Sequence, residues 1–255
     1  MASLNIGVFD CLSEAFSGQR AIGVHPRPHR RLSAFKSDAG CVSLPASARM
    51  TISEPKFTLG YTTHMKVVAF NGSARRGGNT AILLRHVLCE LEKEGIETEL
   101  VELGGATIHG CLACRKCSVR KDRHCSQAND VGNECIDKMA AADGILLGSP
   151  TYVADISPEI KALIDRACLV SKANGGMFRH KVGAAVIAVR RAGAIHAFDA
   201  LNHFFLISEM IVPGSSYWNI AIGREIGEVE KDEEGIHTMK VLGQNMAWLL
   251  KKVNA

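Results

Sequence analysis

The sequence predicts an α/β domain: a doubly wound, five-stranded parallel sheet in the order 2-1-3-4-5, in three α/β/α layers. Three observations carry the prediction. From residue 65 onward, short apolar runs alternate with amphipathic helical stretches, which is the pattern of a parallel sheet covered on both faces. One run, Ile96–Leu103, alternates apolar with polar residues as a half-exposed edge strand does, whereas Gly144–Gly148 and Val182–Val189 are continuously apolar, as strands buried on both faces are. Residues 67–80, Val-Val-Ala-Phe-Asn-Gly-Ser-Ala-Arg-Arg-Gly-Gly-Asn-Thr, read as a buried strand, a glycine-rich turn and a helix start.

The elements follow in order. Strand one is Lys66–Phe70, and helix one runs from about Thr80 to Glu94 with Leu84, Leu88 and Leu91 on one stripe and Gly95 as its stop. His86 falls between the stripe leucines and is expected to point to solvent. After the edge strand comes a cysteine-rich loop, then a helix over roughly Val131–Ala142 and the strand Gly144–Gly148. Ser149–Ile156 is a loop. Ser157 can cap a helix with Pro158 at its first position and Ile160, Leu163, Ile164 and Ala167 facing inward. Val182–Val189 is strand four, and His196–Ser208 is a helix with Phe198, Leu201 and Phe205 inside. Met210–Val212 begins the last strand. Met239, Leu242, Met246, Leu249, Leu250 and Val253 stripe a closing helix. The acidic run from Glu225 to Glu234 reads as a solvated face before it, and Tyr217-Trp218 as packing or as a cover over a ligand or subunit contact.

Composition bounds the function. The chain has 255 residues, 47% apolar and 22% charged, with a net charge of +4. That describes a globular protein with one sizeable core. The charge is too small to imply nucleic acid, and no apolar run approaches the ~18–20 residues of a membrane span. Residues 1–64 differ: seven Arg/Lys face four acids, and no apolar periodicity persists. They are expected to be a poorly ordered extension, either an organelle-targeting leader or translated sequence upstream of a start at Met65, leaving residues 65–255 as the folded domain. The nine cysteines make an odd total with no secretory signal, which argues for a reducing compartment. The expected location is the cytoplasm, or an organelle if the leader reading holds. Cys89, Cys135 and Cys168 sit in apolar helical patterns and are expected in the core.

In a sheet of this order, ligands bind beyond the carboxyl ends of the strands, where strands one and three diverge. Three loops should meet there. Asn71–Asn79 offers the hydroxyls of Ser73 and Thr80, the amide of Asn79 and the charges of Arg75 and Arg76, while Gly72, Gly77 and Gly78 allow close backbone approach. That mixture suits a phosphate. It is neither a Walker loop, lacking Lys-Ser/Thr at its end, nor a G-x-G-x-x-G turn. The second loop carries Pro150, Thr151 and Tyr152, whose ring could stack on a flat heteroaromatic. The third, Arg190–Ala194, combines charge with Gly193 and could present N–H groups to a ring edge.

The fourth motif is Cys111-x-x-Cys114-x-x-Cys117-x7-Cys125. The first two spacings match ferredoxin-type loops, though the last is longer and no proline follows Cys125. Arg115, Lys116, Arg120, Lys121 and Arg123 against Asp122 would stabilise thiolates or an anionic cluster. Three occupants fit: a 4Fe–4S cluster, a redox-active or disulfide-forming thiol set, or a structural zinc. His109 and His124 flank the motif as surface residues. No Ser–His–Asp or paired-carboxylate arrangement is found, so no catalytic side chain is assigned.

Gly72-Ser73-Ala74-Arg75…Asn79-Thr80, Gly148-Ser149-Pro150-Thr151-Tyr152 and Pro158–Arg166 together resemble the NADPH-dependent FMN reductase family, and the cysteine loop resembles its iron–sulfur flavoprotein branch. The resemblance spans about residues 65–255. It implies a flavodoxin-like fold, bound FMN and NAD(P)H as substrate, with electrons passing to a quinone, another flavin or a cysteine-bound cluster. It also implies that Ser73, Arg75, Asn79 and Thr80 hold the FMN phosphate and that Pro150, Thr151 and Tyr152 border the isoalloxazine. Arg190–Gly193 departs from the more glycine-rich stretch of the family. Family members are commonly homodimers or homotetramers. Two other functions stay open: an electron carrier with FMN and a cluster but no NAD(P)H turnover, and a non-enzymatic FMN- or metal-binding regulator.

Overall fold

The computed structural model describes residues 64–255; the expectations for the extension before Met65 lie outside the described residues, His64 apart. Five strands form one all-parallel sheet in the order β2-β1-β3-β4-β5. They are β1 (Lys66–Asn71), β2 (Glu97–Glu102), β3 (Gly144–Pro150), β4 (Val182–Val189) and β5 (Ile220–Ile222). Six α-helices connect and close it: α1 (Asn79–Lys93), α2 (Lys116–Arg120), α3 (Gly132–Ala141), α4 (Pro158–Ala173), α5 (Ala194–Ile207) and α6 (Glu233–Val253). This is the flavodoxin-like doubly wound sheet that the sequence predicts.

The strand patterns explain the two faces. In β1, β3 and β4 nearly every side chain is buried, whereas edge strand β2 is half-exposed. Alternate residues of the central strands feed two cores. Val67, Ala69, Leu146 and Val186 pack with Leu83, Leu84 and Val87 of α1 and Met239, Leu242 and Met246 of α6. Val68, Phe70, Leu147 and Ile187 pack with α3, α4 and α5 on the other face. Ser157 caps α4 by accepting from the Ile160 amide at 3.4 Å, and Pro158 follows it. Asp232 caps α6.

Several expectations are corrected. Met210–Val212 does not open a continuous last strand. Ile211 makes one parallel bridge to Val182, residues 213–219 leave the ladder, and β5 resumes at Ile220 against Ile187. Pro213, which has no N–H to donate, sits at the break. Cys89 is exposed rather than in the core, while Cys135 is buried and Cys168 is half-buried. Val253 is exposed beyond the buried stripe of α6, and Tyr217 and Trp218 are exposed, their ring centroids 4.8 Å apart. His86 does not simply face solvent: its Nε2 lies 3.1 Å from Glu230. A helical turn, α2, interrupts the cysteine loop.

Glu99 ties three elements together. On β2 it receives Lys138 of α3 at 2.6 Å and Lys66 of β1 at 2.9 Å. Hydrogen bonds from Lys138 and then Lys66 hold its carboxyl below the ordinary glutamate range. A carboxylate depressed in the folded state contributes stability that is complete above its unfolded pKa and lost as pH falls through the folded value. Glu99→Gln should therefore cost about 1 kcal/mol at pH 7, read as a lower urea midpoint, and the gap between variant and parent should close on titration toward pH 3. A gap that persists at pH 3 would rule out this linkage.

Candidate functional site

The carboxyl ends of β1 and β3 open around the first loop. Gly72 donates to the Gly148 carbonyl at 2.8 Å, which locks the loop after β1 to the end of β3. A Cβ at Gly72 would strike Ile160 Cγ1 and lie 2.6 Å from Ser157 Oγ, so the loop passes directly over the first turn of α4. Asn71 is fully buried; its Oδ1 accepts from the Ser73 amide at 3.0 Å and its Nδ2 donates to Glu102 at 2.6 Å. Ser73 Oγ accepts from the Arg75 amide at 3.2 Å. The turn Arg75–Gly78 closes with the Gly78 amide on the Arg75 carbonyl, and Gly77 takes φ +62°. Gly78 then precedes α1 with no side chain to cap it, so the first N–H groups of α1 meet no cap and point out of the helix. Ser73 and Thr80 are buried beside them, and Arg75 is exposed at the rim.

Two of the predicted residues are already engaged. Arg75 Nη1 donates to the Arg224 carbonyl at 3.0 Å. Asn79 donates to the Glu225 carbonyl at 2.9 Å and accepts from the Gly227 amide at 2.9 Å. The segment Gly223–Glu228 after β5 is thereby tied to the start of α1. Sequence reasoning missed it, because an acidic run reads as a solvated face; Gly223 and Gly227 were the available signal. Arg190 lines a ≈590 Å³ cavity with Gly223, Arg224, Glu225 and Lys231, so it faces this segment.

The second and third loops meet each other. Thr151 donates its amide to the Ala188 carbonyl at 2.9 Å, and its Oγ1 is buried with no partner among the described residues. Tyr152 and Asp155 exchange backbone hydrogen bonds of 2.9 and 3.0 Å around a two-residue turn. Val153 and Ala154 in that turn have φ of +50° and +60°. A Cβ at Gly193, itself at φ +85°, would lie 3.0 Å from Ala154 Cβ. Tyr152 is 42% exposed and stands on this turn, and Pro150 ends β3 beneath it. A β-branched residue in the left-handed region is strained, and such strain gathers at ligand sites. Val153→Gly should raise stability by about 1–2 kcal/mol, seen as a higher Tm; an unchanged or lower Tm would contradict the strain.

The four motif cysteines line one ≈240 Å³ cavity together with Leu169, Val170 and Arg166 of α4. The chain between the cysteines is strained: Ala113, Arg115, Lys121 and Arg123 all have positive φ. Each of three sulfurs lies near a polar group. The Ala113 amide donates to Cys111 Sγ at 3.3 Å, Ser126 Oγ lies 3.4 Å from Cys114 Sγ, and Gln127 Nε2 lies 3.9 Å from Cys125 Sγ. The Ser126 hydrogen bond, and then the Lys116 amide, draw the Cys114 thiol below its ordinary value. Burial instead pushes Cys135 up to about 12, which marks it as an inert core thiol. Among the described residues no three His, Cys, Asp or Glu side chains converge as metal ligands do. His109 and His124 lie outside the cavity wall; His124 faces Asp137 at 2.9 Å.

Behind the cavity lies a buried ion pair. Arg166 Nη1 reaches both oxygens of Asp130 at 2.7 and 2.5 Å, and Nη2 donates to the Gln127 carbonyl at 2.8 Å. Both side chains are shielded from solvent. Burial works against the Asp130 charge, but the guanidinium and the His109 and Gly132 amides hold its carboxyl below the ordinary range.

Comparison with known proteins bears on the fold and the family. A family model described as NADPH-dependent FMN reductase matches residues 65–225. An iron-sulfur flavoprotein of Methanocaldococcus jannaschii is 36% identical, over 74% of this chain and 99% of its own length. Among solved structures, RosB with bound 8-demethyl-8-formylriboflavin-5'-phosphate superposes with a TM-score of 0.60 at 19% identity, over 74% of this chain and 80% of that one. A flavodoxin, WrbA-like protein of Agrobacterium tumefaciens gives 0.51 at 15% identity, over 74% and 99%. These two share the fold.

Proposed function

The chain belongs to the NADPH-dependent FMN reductase family, and from that premise we propose that it is an FMN-dependent NAD(P)H oxidoreductase whose flavin phosphate sits in the loop between β1 and α1. The observation that carries this reading is the uncapped start of α1 beside buried Ser73 and Thr80, with Arg75 at the rim. A helix start offers N–H groups and partial positive charge to a phosphate, and Arg75 adds a full charge. The orphaned Thr151 Oγ1 and the part-exposed Tyr152 supply a polar atom and an aromatic face for the ring. Asn79 acts differently from the others: its amide orders the Gly223–Glu228 segment against the loop, and so positions the site rather than donating to it. Arg190 lines the cavity beside the same segment, and Gly193 lets the third loop approach Tyr152–Asp155.

When bound, FMN supplies hydride acceptance from a reduced pyridine nucleotide and electron transfer onward. The chain's own residues place the ring, exclude water from one side and hold the phosphate. The electron acceptor is a small quinone or flavin, or a centre held by the cysteines. The Cys111, Cys114, Cys117 and Cys125 set offers the donors of an iron–sulfur cluster: four thiols line one cavity, three of the sulfurs have a polar neighbour, and the strained loop is of the kind a bound centre would hold in place. The relatives named iron-sulfur flavoproteins support this occupant over zinc. Assembly as a homodimer or homotetramer is part of the same proposal; no described helix is long and apolar enough to cross a membrane.

The test combines Arg75→Ala with Thr80→Ala. The double variant should bind FMN at least about tenfold more weakly, a loss of ~1.4 kcal/mol or more, while keeping its circular-dichroism spectrum. Unchanged affinity would remove the phosphate assignment. Mixing the parent holoprotein anaerobically with NADPH or NADH should bleach the flavin band; a flavin that stays oxidised with both would favour the carrier without pyridine-nucleotide turnover.

A further inference from the structure

We propose that Arg166 is the counter-charge of the four-cysteine cavity, a buried guanidinium that raises the reduction potential of the iron–sulfur centre held there; this rests on the cluster reading given above. The motif Asp165-Arg166 lies within α4, where Arg166 is 1% exposed. Arginine is almost never so buried unless paired, and Arg166 is only partly satisfied. Its Nη1 and Nη2 are taken by Asp130, His109 and Gln127. Its Nε is buried with no partner among the described residues, and the side chain forms part of the cavity wall that the cysteines line.

The orientation decides the sign. Arg166 lines the cavity and Asp130 does not, so the ion pair presents its positive end to the sulfurs and its negative end to the backbone amides of His109 and Gly132. The other cation on the wall, Arg115, is exposed and is screened by water and salt. Leu169 and Val170 complete the wall, and a poorly polarisable wall lets a buried charge act strongly. The fold makes room for this group: a Cβ at Gly132 would lie 2.5 Å from Arg166 Cζ, so α3 begins with the one residue that admits the guanidinium.

One-electron reduction adds one negative charge to a thiolate-bound centre and changes no bond to the protein. A nearby fixed cation stabilises the reduced form more than the oxidised one, so its removal lowers the potential. A tether that merely holds the loop would not do this. The test uses anaerobically purified holoprotein and dithionite titration followed by visible absorbance and EPR, with iron and sulfide counted per chain. Arg166→Gln leaves Asp130 buried without a partner, so the informative variant is Arg166→Gln with Asp130→Asn, compared with Arg166→Lys. The double variant should retain iron and sulfide, and its reduced-to-oxidised ratio at a fixed ambient potential should fall at least about tenfold. Arg166→Lys should stay close to the parent. Loss of iron from the double variant with retention in Arg166→Lys would show a tether that holds the loop and would overturn the counter-charge role. Full cluster content at unchanged potential in the double variant would overturn the proposal, as would equal loss of iron from both variants. Parent protein carrying zinc, or neither iron nor sulfide, would instead show that the cluster reading itself is wrong and take this proposal with it.

Discussion

Gly72→Val is expected to lose FMN binding while the rest of the sheet stays folded. The residue sits where β1 ends, its amide on the Gly148 carbonyl, and any Cβ collides with Ile160 of α4 and with the Ser157 hydroxyl that caps that helix. Ile160 is fully buried, so it cannot swing away. Either the first turn of α4 moves or the loop after β1 lifts, and both displace the site. Overpacking of this kind costs about 1–3 kcal/mol, which for a domain of this size lowers Tm by roughly 2–12 °C. The affinity loss should be larger, at least about a hundredfold, because the loop we assign to the phosphate and the Tyr152 loop both depend on this junction. Gly77→Ala is the control. Nothing lies within 4 Å of its Cβ although φ is +62°, so it should cost about 1 kcal/mol of stability through backbone strain and change FMN affinity far less. Near-parental FMN binding by Gly72→Val would show that the ligand does not sit over this junction.

Asp130→Ala should be the most destabilising single polar substitution tested. It leaves Arg166 charged and fully buried, with two carbonyl oxygens as its remaining hydrogen-bond partners. Breaking a buried pair from one side costs about 3–5 kcal/mol, because the remaining charge has lost both water and its partner. The urea midpoint should fall accordingly, and Asp130→Ala with Arg166→Met should recover much of the loss, since replacing both partners with apolar groups removes the unpaired charge. Because the Asp130 carboxyl is held below its ordinary range, the pair's contribution is complete at neutral pH and fades only as pH falls through that depressed value. A change under about 1 kcal/mol for Asp130→Ala at pH 7 would mean that the pair is far more hydrated than its burial implies.

Much of the architecture was legible because it rests on local patterns. Continuous apolar runs marked β1, β3 and β4, alternation marked β2, and Ser157-Pro158 marked the start of α4. The glycines of residues 71–80 marked the turn between β1 and α1 in the same local way. What could not be read depends on partners distant in the chain. Arg166 was read as the end of a helical motif, not as a buried cation, because its partner Asp130 lies 36 positions earlier and follows no helical or strand period. The role of Gly223–Glu228 is set by Arg75 and Asn79, 149 and 146 positions away. Residues 225–234 carry the charge of a solvated face, yet Asp232 caps α6 and Glu228 accepts from two loop amides. Cys89 follows the stripe residue Leu88 in the chain, but about 100° of helix rotation carries it to the outer surface. The last strand was displaced because Met210–Val212 has strand-like residues and does begin the pairing, before Pro213 ends it.

The most direct measurement is a paired titration of the flavin-free chain with FMN and with riboflavin, followed by quenching of flavin fluorescence. If the start of α1 holds the phosphate, FMN should saturate at one per chain and riboflavin should bind at least about a hundredfold more weakly, a difference of ~2.8 kcal/mol or more that shrinks in the Arg75→Ala, Thr80→Ala variant. Equal affinity for the two flavins, or no saturable binding of FMN, would contradict the account at its base.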